Sequence, residues 1–228
     1  MRGVIVIMVG GIIRSALVVV LIFLCELTVF GTPQRPEIII YKGQKYQLFH
    51  NLPMADYFKK YPDKHPRKDF FVATDLWRGY VATYEIKENQ LYIKDIMILV
   101  PDSKGAPVEK SAMNEVFPNQ KLVKINWVTG LFVLPVGKIF AYDYNNSGNP
   151  IYENYIILEM ENGILKREKE FSNEEYEVFN KEQFEAFKET EEYEKLKVKL
   201  KRKNTTDEDI DSLIQYRIIE YSTKILVE

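Results

Sequence analysis

The chain has 228 residues, and 31 Lys and Arg set against 33 Asp and Glu leave a formal net charge of −2. So close a balance removes any bulk electrostatic reason to expect nucleic acid or a strongly anionic partner. The single cysteine, Cys25, excludes an internal disulfide, a C-x-x-C redox pair and a cysteine-built zinc site.

Residues 4–13 and 15–25 are apolar runs separated by Arg14, and Arg2 and Arg14 are the only charges before Glu26. A positive flank, an apolar centre and a polar exit are what export machinery reads. Placing Arg14 in mid-bilayer would cost roughly 2.5–3.5 kcal/mol. The hydrophobic core is therefore read as starting at Ser15, with Arg14 on the cytoplasmic side. Val29-Phe30-Gly31 stands where a small-residue cleavage point belongs, and Pro33 and Pro36 stop the helix. Residues 1–31 are expected to be a cleaved signal peptide or a retained anchor that meets the membrane through residues 15–31. Cys25 also raises a lipid anchor, against which bulky Leu24 stands. Residues 32–228 are accordingly expected in the cell envelope, the periplasm or outside the cell.

Beyond the leader, residues 37–41 and 45–49 flank Lys42-Gly43-Gln44, a hairpin signal with Gly at the turn. Pro53 opens a short helix that Pro62 ends, and a charged loop follows over 61–68. Residues 70–86 and 91–100 read as strands around the turn 87–90. In the second, Leu91, Ile93, Met97 and Leu99 are placed on one face, with Tyr92, Ile96, Ile98 and Val100 on the other. A strand apolar on both sides is expected to be central and covered twice. Residues 111–116 suggest a short helix. Strands are expected over 121–127, 131–134, 138–144 and 151–160, and Asn162-Gly163 turns the last into 164–171.

After Phe171 the composition becomes charge-dense. Ser172 with Glu175 and Asn180 with Gln183 read as capping boxes. Phe184, Phe187, Tyr193, Leu196 and Leu200 give 181–203 an apolar stripe at near-helical spacing. Its acidic start and basic end complement a helix dipole. Thr206 with Asp209 opens a last helix, and 216–227 is read as a closing strand. The expected organisation is a leader (1–31), a strand-rich domain (32–171) and a mainly helical appendage (172–228). The fold class is α+β with a predominantly antiparallel sheet.

Trp77, Arg78 and Tyr80 surround Gly79, where a bulge would turn Trp77 outward and leave an Arg beside aromatic rings. With Trp127 they form the candidate binding patch. The preferred alternative puts the rings in the core, where Arg78 snorkels or pairs with a carboxylate. Asp143, Asn145 and Ser147, followed by Gly148, imitate the start of a calcium loop, but the twelfth position is Asn154 and Glu153 falls one place early. No other metal site and no cofactor motif stands out. His50 and His65 are the only histidines, are not spaced to share a metal, and are read as solvated. No Gly-x-Ser-x-Gly elbow is present.

Tyr41-Lys42-Gly43-Gln44, the block Trp77-Arg78-Gly79-Tyr80 running into Thr83-Tyr84-Glu85-Ile86 and Leu91-Tyr92, and the block Trp127-Val128-Thr129-Gly130 with Leu134-Pro135-Val136-Gly137-Lys138 stand in this order. Tyr152-Glu153, Leu158-Glu159 and Asn162-Gly163 follow. Over about residues 38–165 the chain resembles an uncharacterised bacterial family of small strand-rich proteins. That family has no established activity, so the resemblance implies a fold and no residue role. The leader and the charged tail are additions to its pattern. With no catalytic constellation beside strand-edge aromatics, the expected role is binding, with a protein partner, in the manner of an inhibitor or immunity protein. An envelope hydrolase using a carboxylate pair and a structural envelope component are the alternatives.

Overall fold

Strand β1 (Glu37–Tyr41) folds back on β2 (Gln44–Leu48) in an antiparallel hairpin. Its two-residue turn, Lys42 and Gly43, has both φ angles positive, the geometry that matches strand twist. A computed structural model describes the chain over residues 34–66, 73–143 and 149–228. The signal-or-anchor reading of residues 1–31 lies outside the described residues. Among those described, no helix is long and apolar enough to cross a membrane.

Helix α1 (Pro53–Lys60) starts on its proline as expected, and a 3-10 turn (Pro62–Lys64) follows. The chain then re-enters the sheet as β3 (Val81–Lys87), parallel to β1. This one parallel pair requires a crossover, which α1 supplies. The expected strand 70–86 is shorter at its start. Ala73 to Gly79 is a pair of turns, closed by Leu76 N–H donating to Ala73 O and Gly79 N–H donating to Leu76 O, each at 2.9 Å.

Strand β4 (Gln90–Pro101) pairs with β3, and also with β5 (Pro107–Ser111) and β6 (Val123–Lys124). The register jumps from Thr83 opposite Asp95 to Tyr84 opposite Ile93, leaving Lys94 as an extra, bulged residue. The bulge reverses the phase of the strand. Leu91, Ile93, Ile96 and Ile98 are buried together, whereas strict alternation would put Met97 and Leu99 with the first two. Between β5 and β6 lies the short α2 (Met113–Val116).

Strand β7 (Gly130–Asp143) is one long strand rather than two, with Pro135 tolerated because β7 ends the strand order. It pairs with β8 (Asn149–Glu161), which turns through Asn162-Gly163 into β9 (Ile164–Ser172). Among the described residues the nine-stranded mixed sheet, mostly antiparallel, runs β2-β1-β3-β4-β9-β8-β7, with β5 and β6 paired to β4 off this path. Strands β4 and β9 pair only at Gln90 opposite Ile164, so the sheet opens there into two halves. It curls until β2 meets β7, and the Tyr152 hydroxyl donates to Gln47 at 2.8 Å. The main core fills the space between the halves, with Tyr84, Ile93 and Ile96 from one and Phe132, Leu134 and Leu158 from the other.

Four helices follow, α3 (Asn173–Lys188), α4 (Glu191–Leu200), α5 (Asp207–Tyr216) and α6 (Ile218–Tyr221). The Ser172–Glu175 and Thr206–Asp209 capping boxes both form. The third expected box does not, because α3 runs through it. Gln183 is instead fully buried, its amide donating to Lys224 O and accepting from Leu226 N–H, each at 2.8 Å. Side chains thus hold the tail where a closing strand was expected. Arg167 and Lys169 of β9 donate to the carbonyls of Ile225 and Val227, so residues 222–228 need no ladder. Leu131 and Ile157, from the other face of β7 and β8, join Phe179, Phe184, Ile210, Ile214 and Ile218 in a second core. The described part of residues 34–228 is a three-layer α+β unit, two half-sheets and a layer of helices.

Candidate functional site

The four residues of the expected patch separate. Trp77 is 68% exposed, held outward by the turn that ends at Gly79 (φ +84°). Tyr80 is 2% exposed and packs edge-on against Phe58 of α1, with ring centroids 5.0 Å apart. Trp127 is half-buried, donating its indole N–H to Pro53 O at 3.1 Å and leaning on Tyr57 at 5.2 Å. His65, read as solvated, lies 4.7 Å from the Phe58 ring and 5.5 Å from that of Tyr80. Of the patch, only Trp77 presents its ring to solvent.

Arg78 points inward. One guanidinium nitrogen donates to Arg35 O at 2.6 Å, and Nε stands 4.0 Å from Oε1 of Glu37. Glu37 is fully buried at the start of β1. Its Oε2 accepts a short hydrogen bond from the Tyr84 hydroxyl, which accepts from Met54 N–H at 3.1 Å. Oε1 of Glu37 and Nε of Arg78 have no hydrogen-bond partner among the described residues. Burial drives the Glu37 carboxyl up to about 7, beyond what the Tyr84 hydrogen bond and the Arg78 charge restore. Burial likewise holds the phenols of Tyr80 and Tyr84 far above their ordinary range. The sequence reads residues 37–41 as the first strand of a hairpin, with Glu37 as its only charged residue. Nothing in that pattern signalled that the curl of the sheet would bury it.

Among the described residues, an exposed apolar stretch lies at the far end of β7. Two register shifts occur there, between Val136 and Ile139 and between Ile139 and Ala141. The first is shaped by Gly137 (φ +84°) and by Glu153 accepting from Lys138 N–H at 2.9 Å. The second leaves Phe140 with no residue opposite it on β8. Bulges re-aim side chains, and here Ile139, Phe140 and Tyr142 all face solvent, Phe140 at 58%. The calcium reading at Asp143, Asn145 and Ser147 falls on side chains outside the described residues. Among those described, no cluster of His, Cys, Asp or Glu is grouped to hold a metal.

Comparison with protein-family models, with curated proteins and with solved structures finds no match, so no residue takes a role from a relative.

Proposed function

We propose that this chain is an exported or membrane-tethered binding protein that takes a protein partner on the outer end of β7, in the manner of an inhibitor or immunity protein. The observation that carries the reading is the run Ile139, Phe140 and Tyr142, exposed together where two bulges re-aim the strand. Aromatic side chains of this kind dominate the energy of protein interfaces. The run is flanked by charged Lys138, suiting a local contact with a polar rim. The leader supports placing the partner on the far side of a membrane. A carboxylate-pair hydrolase is less well supported, because Glu37, among the described residues the one carboxyl with a raised pKa, has no exposed surface from which to meet a substrate.

Full-length chain purified from its host, beside an Ile139→Ser/Phe140→Ser double variant, tests the proposal. The double variant is expected to lose a protein that the parent and a Val178→Ser control both retain, with an affinity loss of at least about tenfold. Retention by all three chains, or by none, contradicts it.

A further inference from the structure

A cleft of about 600 Å³ opens where the start of β8, helix α3 and the α5–α6 turn converge. This lies within the roughly 300–1,000 Å³ of small-molecule sites. We propose that it binds a short, uncharged oligosaccharide. Its inner wall is the stacked pair Tyr155 and Tyr176, with centroids 4.3 Å apart and planes 26° apart. Tyr216, also lining it, is 52% exposed. Tyr155 and Tyr176 stack on each other, so the exposed Tyr216 ring is the flat aromatic surface that matches the C–H face of a sugar ring.

The polar groups point the same way. Arg217 and Lys181 offset Glu177 and Glu220 in formal charge among the lining residues, with His50 beside them. Glu220 and Arg217 are, in addition, paired with each other, and His50 Nδ1 stands 3.2 Å from the same carboxylate. Burial alone would raise Glu220, but the hydrogen bonds from His50 and Arg217 bring it down to about 2. Its charge is therefore spent within the protein. Beside Glu177 and Lys181, which cancel in formal charge, the rest of the polar lining is neutral: the amides of Asn173, Asn180 and Gln215 and the hydroxyl of Ser212. Amides and hydroxyls both donate and accept, as sugar hydroxyls do. Oδ1 of Asn180 is a buried acceptor without a donor among the described residues.

A second hollow of about 420 Å³, lined by Phe49, Leu52 and Asp56, shares His50, Arg217 and Glu220 with the cleft. A ligand several units long suits two hollows that meet at one clamp better than a compact metabolite does.

Calorimetric titration of the full chain, kept in mild detergent, with cellotriose, maltotriose and triacetylchitotriose tests the proposal. At least one is expected to bind saturably at millimolar concentration, and Tyr216→Ala and Gln215→Ala are each expected to weaken it about tenfold. The Ile139→Ser/Phe140→Ser variant should bind as the parent does, which separates this site from the partner surface. If Tyr216→Ala unfolds, Gln215→Ala carries the test. Absence of binding by all three sugars, or binding that survives the lining substitutions, overturns the proposal.

Discussion

Gly163→Ala is expected to cost more than about 4 kcal/mol, the range reserved for core disruption. The residue sits at φ +74° in the β8–β9 turn. A Cβ there would overlap the carbonyl oxygen of Ile125 and come within 2.7 Å of its carbon, and neither is a flexible side-chain end. The surrounding backbone has little room to give. Gly163 N–H donates to Val128 O at 2.8 Å, and its carbonyl accepts from Leu91 N–H at 2.8 Å and from the Gln90 side chain at 3.0 Å. The Gln90 amide also donates to Ile125 O at 2.7 Å. This is the point where the two half-sheets meet, at Gln90 opposite Ile164. Gly43→Ala is the control. It shares the positive φ, at +78°, but an added Cβ meets nothing within 4 Å, so the expected loss is about 1–2 kcal/mol. Urea unfolding of both variants checks the difference. Equal losses would mean that the close approach to Ile125 is not there.

The second large effect is electrostatic. Glu37 titrates near its ordinary 4.5 when unfolded and at about 7 when folded. Below pH 4.5 the carboxyl is neutral in both states and its burial costs nothing in charge. Between 4.5 and 7 the unfolded chain has released the proton that the folded chain still holds, so stability falls as pH rises. Above 7 the loss is complete and the curve is flat. Integrated over the window, the loss is about 3 kcal/mol. Glu37→Gln keeps an acceptor for the Tyr84 hydroxyl and removes the ionisation, and unfolding free energies at pH 5 and pH 8 should then differ by about 2.5 kcal/mol less than in the parent, part of the loss having occurred by pH 5. Groups elsewhere cancel in this comparison. Parallel pH profiles for parent and variant would show that Glu37 ionises without penalty.

These two sites mark where reading the chain alone stops. The turns at Lys42-Gly43 and Asn162-Gly163 were readable because positive φ needs particular residues, and each announces itself within two positions. The Ser172 and Thr206 caps were readable for the same reason, since a capping box spans only four residues. The bulge at Lys94 was not, because both faces of β4 carry apolar residues and a one-residue slip leaves either face plausible. Tyr80 was open between patch and core until α1 was seen to cover it through Phe58. Glu37, Gln90 and Gln183 are polar side chains made internal by partners 30 or more residues away, contacts that no local pattern encodes. The exposed run on β7 was read as ordinary strand, since only the register against β8 shows that Phe140 is unopposed.

Cys25 is the only cysteine, so the account can be tested with one engineered thiol. A Cys25→Ala/Lys138→Cys chain, with the thiol beside the apolar run rather than in it, would be expressed in its host and treated, in intact cells, with a membrane-impermeant maleimide carrying a photoreactive group. Labelling without lysis is expected and, on illumination, one discrete adduct to a second protein, absent when the thiol is placed at Val198 instead. Labelling only after lysis, or an accessible thiol that yields the same adducts from either position, would contradict it.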